Sequence, residues 1–289
     1  MKRHPIITFF VLTYALSWTF EIPLVVQRDG IAGTQGLVLN ILAANVPSVL
    51  AIVLTAMVFG RGALRKLLGR LLIWRVDPRW YLVVLGPAAL AGGMVTLNSF
   101  AGGPALSLGM PLLTAVIMLA FSIFPGSALG EEIGWRGYAL PRLQARMSAL
   151  SASLILGVIW GFYHLPLYFT GQAIRPLSLF PLFVVSTIAL SVIITWMYNS
   201  TGGSLLLVVL LHATYNLPLT LLIAPLGNQM TLAFSLFVGL LVVAAIVVVI
   251  VAGPAHLSRK HRKQEQEEGA AEPGVATPPG VVKPTPRVN

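Results

Sequence analysis

Long apolar runs, separated by short segments carrying arginine, lysine, glycine or proline, recur along this chain from residue 5 to residue 252. A helix crossing the hydrocarbon of a bilayer needs about 20 mostly apolar residues at 1.5 Å per residue. Eight stretches reach that length: 5–26, 36–60, 80–98, 112–132, 149–169, 177–198, 204–224 and 230–252. The pattern predicts an all-α, polytopic integral membrane protein of about eight spanning helices. Stretches 177–198 and 204–224 read as two spans because Asn199-Ser200-Thr201-Gly202-Gly203 supplies a turn between them. Residues 1–254 form one transmembrane domain. After it the chain turns basic (Arg259-Lys260-His261-Arg262-Lys263), then acidic, then proline-rich, so 255–289 is expected to be a disordered cytoplasmic tail.

The positions of the basic residues orient the spans, since Lys and Arg stay on the cytoplasmic side. With the N-terminus inside, the inner segments hold Lys2, Arg3, Arg61, Arg65, Lys66, Arg70, Arg75, Arg79, Arg136, Arg142 and Arg146, whereas the outer loops hold Arg28 and Arg175. Both termini are therefore expected to be cytoplasmic, in a plasma (inner) membrane. Between 61 and 79, Leu64, Leu67, Leu68, Leu71 and Leu72 alternate with arginine and lysine at helical spacing, which suits an amphipathic helix on anionic lipids. The first run has no small-residue cleavage signature after it and reads as a retained span.

Composition narrows the chemistry. The chain is 56% hydrophobic and 10% charged, too apolar for a soluble domain of 289 residues. Its net charge of +10 is spread over topology-setting segments, so no nucleic-acid partner is assigned. There is no cysteine, which removes disulfides, thiolate nucleophiles and cysteine metal sites.

Five acids lie ahead of the tail, and Glu21, Glu131 and Glu132 among them fall in or at the end of apolar runs, as do His164 and His212. Each ionisable group in a bilayer costs about 2.5–3.5 kcal/mol, so a cluster of them is a candidate working site. Glu132 and Arg136 are four apart and can pair on one helical face. Glu131, turned by about 100° from Glu132, is left to face another partner and is the candidate base. Trp160-Gly161-Phe162-Tyr163-His164 sets an imidazole among aromatic residues, and His212-Ala213-Thr214-Tyr215-Asn216 sets an imidazole and a carboxamide one turn apart, both able to donate to an oxyanion. Pro166 and Pro218 each follow within two residues of a site residue and should bend their spans toward a wet cavity. Glu21, with no motif around it, reads as a packing or topology residue, and Trp135, Trp160, Phe162 and Tyr163 as packing or interfacial residues.

Glu131-Glu132-x-x-x-Arg136, an aromatic residue four before His164, and His212-x-x-x-Asn216 resemble, in order, the three motifs of the CAAX prenyl protease type II family, also called the bacteriocin-processing or Abi family. The resemblance covers about residues 110–225. It implies an intramembrane endopeptidase acting on a peptide or protein substrate in the membrane. In that reading Glu131 and His164 activate water, His212 and Asn216 hold the tetrahedral oxyanion, and the site opens toward the cytoplasm. Trp160 departs from the family pattern, which usually has Phe there, and this is expected to alter cavity shape more than chemistry.

Two alternatives stay open. No cofactor is required by this chemistry, but His164, His212 and Glu131 could instead hold a divalent metal such as zinc. A non-enzymatic scaffold or immunity protein, or a proton-coupled transporter, would use the same buried groups differently. One geometric demand is sharp: with Glu131 at the inner end of its span and His164 some 20 Å into the next, the two cannot meet. The expectation is that 138–150 forms a surface helix or turn before the next span enters, bringing the pair within about 12 Å.

Overall fold

The structure, a computed structural model, describes residues 4–26, 33–103, 111–169, 176–223 and 230–258. In chain order its helices are α1 (Pro5–Val26), α2 (Thr34–Leu54), α3 (Gly60–Gly69), α4 (Arg79–Val84), α5 (Gly86–Phe100), α6 (Leu112–Ile123), α7 (Ser127–Glu132), α8 (Leu140–Gln144), α9 (Ala149–Tyr163), α10 (Phe180–Ser200), α11 (Leu205–Pro218) and α12 (Met230–Ala252). A π-helical turn at Thr55–Phe59 joins α2 to α3, and another at Ile133–Ala139 joins α7 to α8. No strand occurs among the described residues, as the apolar periodicity predicts.

Six helical runs among these residues are long and apolar enough to cross a membrane: Pro5–Val26, Thr34–Leu72, Leu113–Gln144, Leu177–Ser200, Leu205–Leu222 and Met230–Ala252. Among the described residues, two of the eight expected stretches are not unbroken helices of that length. The stretch 80–98 breaks at Leu85, just ahead of Gly86-Pro87, and the stretch 149–169 is helical only to Tyr163 before Pro166 starts a 3-10 turn at Leu165–Tyr168. Both breaks have the local cause that proline removes a backbone donor and clashes with the preceding turn. The first residues of the expected tail are packed against the helices. The carbonyls of Pro254 and Ala255 accept from Leu150 and Ala149, Leu257 and Ser258 are buried, and residues 259–289 lie outside the described residues. Arg28, Asp29 and Arg175 also lie outside them.

Lipid has no hydrophobic preference for one apolar helix face over another, so the faces sort by shape. On α12, Leu241, Ala245, Val248 and Ala252 pack inward while Val243, Ile246, Val247 and Ile250 stay exposed. Close approach is bought with glycine at two places. A Cβ at Gly134 would lie 2.7 Å from the Pro47 carbonyl on α2, and one at Gly130 would lie 2.6 Å from the Ala44 carbonyl. On α9 a Cβ at Gly157 would lie 2.6 Å from Ile188 Cα of α10, and one at Gly161 2.7 Å from Thr187 Oγ1. Each pair is spaced by four residues, the small-xxx-small arrangement that lets membrane helices touch backbone to backbone. Both pairs flank candidate site residues.

Polar side chains stitch the same contacts. Thr187 donates to Gly157 O (3.1 Å), Ser48 to Leu129 O (2.8 Å), Trp18 Nε1 to Tyr163 O (3.0 Å), and Tyr163 Oη to Ala43 O (2.8 Å). Replacing Gly157 by alanine forces α10 to move, since the obstacle is backbone. The expected cost is about 1–3 kcal/mol, read as a lower Tm of the purified protein in detergent; an unchanged midpoint would show that this helix contact is not close.

Candidate active site

The site begins with the run from Ser127 to Gln144. Its apolar face does not stop at the acids: Trp135, Tyr138, Ala139 and Leu140 are all buried, and Leu143 follows. Glu131 therefore sits thirteen residues, roughly 20 Å, from the Gln144 end. His164, the C-cap that follows α9, stands fifteen residues, also roughly 20 Å, from Ala149. A short link at 145–148 joins the two runs, so the carboxylate and the imidazole meet at matched depth. Of the expected stretch 138–150, residues 145–148 do form a turn ahead of α9, with Ala145 and Arg146 exposed, whereas Tyr138, Ala139 and Leu140 are buried rather than on the surface. The demanded proximity is met, Glu131 and His164 approaching to 3.8 Å.

Within this hairpin, Glu131 Oε1 lies 3.8 Å from His164 Nε2. Its second oxygen, Oε2, accepts from two indoles, Trp135 Nε1 at 3.1 Å and Trp160 Nε1. The carboxylate is thus pinned on one side and open on the other. His164 Nδ1 lies 2.9 Å from Trp160 O; a carbonyl only accepts, so Nδ1 carries a proton and Nε2 is the ring nitrogen turned toward Glu131. At 3.8 Å, Nε2 and Oε1 are too far apart for a direct hydrogen bond, and a single water is the size of group that can bridge them.

Behind them lies the second carboxylate. Glu132 Oε1 accepts from Arg136 Nη1 at 2.7 Å and from His212 Nδ1 at 2.8 Å, with Glu132 and Arg136 wholly buried. The Arg136 guanidinium also stacks 4.4 Å over the Trp160 ring, and that ring meets His212 edge-on at 5.1 Å between centroids. The Glu132–Arg136 pairing drawn from the i,i+4 spacing is present, while the His212–Glu132 bond had no signal in sequence. Asn216, one turn beyond His212 on α11, gives its amide to Ser122 (3.2 Å) and Ser127 (3.1 Å) at the break between α6 and α7. Pro218 ends α11 and a π-helical turn at Leu219–Ile223 follows.

Trp135 and Trp160, set down from the sequence as packing or interfacial residues, touch the Glu131 carboxylate directly. The available signal was positional: Trp135 is four after Glu131 and Trp160 four before His164, so each shares a helix face with a site residue. Glu21 is buried on α1 and acts electrostatically on His164 and Glu131, nearer the cluster than its lack of motif suggested. Among the described residues no three His, Asp or Glu side chains are grouped to hold a metal ion.

Fold and site together define a multi-pass, all-helical membrane protein with two carboxylates and two imidazoles enclosed in its helical interior. Residues 111–218, which contain Glu131, Glu132, Arg136, His164, His212 and Asn216, match the family model of the type II CAAX prenyl endopeptidase Rce1-like proteins. A curated protein of Methanococcus maripaludis, CAAX prenyl protease 2, is 32% identical to this chain over 133 residues, which cover 44% of this chain and 46% of that protein. The resemblance carried by the three motifs is borne out over that segment. The matched stretch spans somewhat under half the length of the relative.

Proposed function

We propose that this chain is an intramembrane endopeptidase that hydrolyses a peptide bond with water activated between Glu131 and His164. The observation that carries the reading is the 3.8 Å gap between Glu131 Oε1 and His164 Nε2, two bases facing one another at water-bridging distance with every other polar edge of both groups occupied. A water in that gap donates to the carboxylate and to the imidazole, and loses one proton as its oxygen attacks the scissile carbonyl. The oxyanion then needs donors. His212 supplies Nε2–H when its ring is doubly protonated, since Nδ1–H is committed to Glu132, and the Asn216 amide supplies a second if it turns from the serine hydroxyls. Glu132 and Arg136 hold the geometry through Trp160 and His212.

The substrate class is that of the relative's name, a C-terminal tail carrying a prenyl group. The basic residues Arg142 and Arg146 mark the Gln144 end as the cytoplasmic one, with both chain termini on that side in the plasma membrane. A tail entering from there reaches Glu131 with about six extended residues, since roughly 20 Å at about 3.3 Å per residue separates them. The test is cleavage of a farnesylated C-terminal peptide and of its unprenylated twin by the purified protein, with elemental analysis of the same preparation for zinc. Absence of cleavage of either peptide by a folded preparation sinks the reading.

Trp160 offers a finer check. Phenylalanine at this position keeps a ring against His212 and Arg136 but removes the indole donor from Glu131 Oε2. A hydrogen bond to a charged group contributes about 1.5–3 kcal/mol, so Trp160→Phe is expected to lower kcat by about tenfold or more with KM little changed. An unaltered kcat would mean that Trp135 alone holds the carboxylate.

A further inference from the structure

At the other end of the Ser127–Gln144 run, away from the Glu131 cluster, lies a cavity of about 270 Å³ lined by Arg70, Pro141, Gln144, Tyr198, Asn199, Gly202, Gly203 and His256. It has room for about nine waters, which is enough for a phosphate with part of a glycerol. Arg70 is held there by one edge. Its Nη1 donates to Tyr198 Oη and to Gly137 O at 3.4 Å, and the guanidinium carbon stands 5.6 Å over the Tyr198 ring. No contact among the described residues occupies Nε or Nη2, and glycine at 203 keeps that edge uncovered, its notional Cβ falling 3.6 Å from Arg70 Nε. The free edge is the two-donor fork that fits two oxygens of a phosphate.

Charge reinforces the geometry. The described acids are Glu21, Asp77, Glu131 and Glu132; none lines the cavity, and Arg70 makes no ion pair with any of them. Arg142 is close enough to repel Arg70 electrostatically, and it too has no carboxylate partner, its Nη1 donating to Tyr138 O at 2.7 Å. The carbonyl ends of α8, α10 and α12 approach this face with about half a negative charge each. Two whole guanidinium charges and the amide end of α11 at Leu205 outweigh them. Two arginines without a counter-ion among the described residues, one of them fixed at the wall of a cavity, leave a site short of an anion.

We propose that this cavity binds a phosphate group, presented by the headgroup of an anionic phospholipid or by free phosphate, through the Nε–Nη2 edge of Arg70. The site stands apart from the cleavage chemistry and does not depend on it. Thermal unfolding of the full-length protein in detergent, with dioleoylphosphatidylglycerol, dioleoylphosphatidylcholine or inorganic phosphate added, tests it. At an excess of about 100-fold over Kd, phosphatidylglycerol is expected to raise Tm by about 5 °C more than phosphatidylcholine. Arg70→Gln should abolish most of that difference, and so should Gln144→Glu, which sets a carboxylate in the cavity without touching the Arg70 contacts. Lys66→Gln, on the exposed face of α3, should retain it. A rise reproduced by millimolar phosphate identifies a free anion as the ligand, and a rise seen only with the lipid identifies the headgroup. Equal Tm in all three additives overturns the proposal, as does a phosphatidylglycerol effect that survives Gln144→Glu or is lost equally in Lys66→Gln. Should Arg70→Gln fail to fold, Gln144→Glu decides alone.

Discussion

Glu131→Gln is expected to lower peptide cleavage by a factor on the order of 10²–10⁴ while leaving the protein folded. Glutamine keeps the size of the side chain, and its carbonyl oxygen can still accept from Trp135 and Trp160 as Oε2 does now. Its amide nitrogen then points along the direction of Oε1, toward His164 Nε2. That nitrogen donates where the carboxylate accepted, so it ties up the imidazole lone pair and takes the place where water would be activated. Basicity and water are lost together. Turnover of the peptide and Tm should be measured on the same preparation: cleavage near the wild-type rate with an intact fold would remove Glu131 from the mechanism.

Arg136→Leu is expected to be the most destabilising single change in the site. Glu132 and Arg136 are both wholly buried, and removing one partner strands the other charge, which costs about 3–5 kcal/mol. At about 2–4 °C per kcal/mol for a chain of this size, Tm should fall by roughly 10 °C. His212 would keep Glu132 partly satisfied, and Trp160 would lose the cation on its face. The double variant Glu132→Leu with Arg136→Leu should lose less than Arg136→Leu alone, since no charge is left unpaired. If the double variant is instead the worse of the two, the pair contributes more than it costs to bury, and the architecture depends on it for stability rather than for geometry.

Much of this site was legible in the sequence because ionisable residues in apolar runs are rare enough to stand out, and because spacing fixes which of them share a face. Glu131, Glu132, Arg136, His164 and His212 were found that way. Depth was harder to read. Placing the end of a span at Glu131 treated acid and arginine as water-seeking, yet Glu132 and Arg136 neutralise each other and the run continues through buried Tyr138 and Leu140. The indole donors escaped for a related reason: a tryptophan scores as apolar, and its N–H appears in no hydrophobic pattern. The glycines at 130, 134, 157 and 161 were likewise silent until the helices they admit were in place. Proline was the signal hardest to weigh, since the runs 80–98 and 149–169 are mostly apolar while their backbones break at Leu85 and beyond Tyr163.

The four-residue link at 145–148 bears on how the chain enters the bilayer. The Glu131 carboxylate, the imidazole facing it and both indoles that hold it lie on one hairpin, so a carboxylate that would be costly to leave alone in hydrocarbon arrives there already accompanied. Insertion of that pair of helices needs no later segment to relieve Glu131. By contrast Glu132 gains its histidine only when the helix bearing His212 joins, which makes the first half of the cluster a product of local assembly and the second half a product of docking.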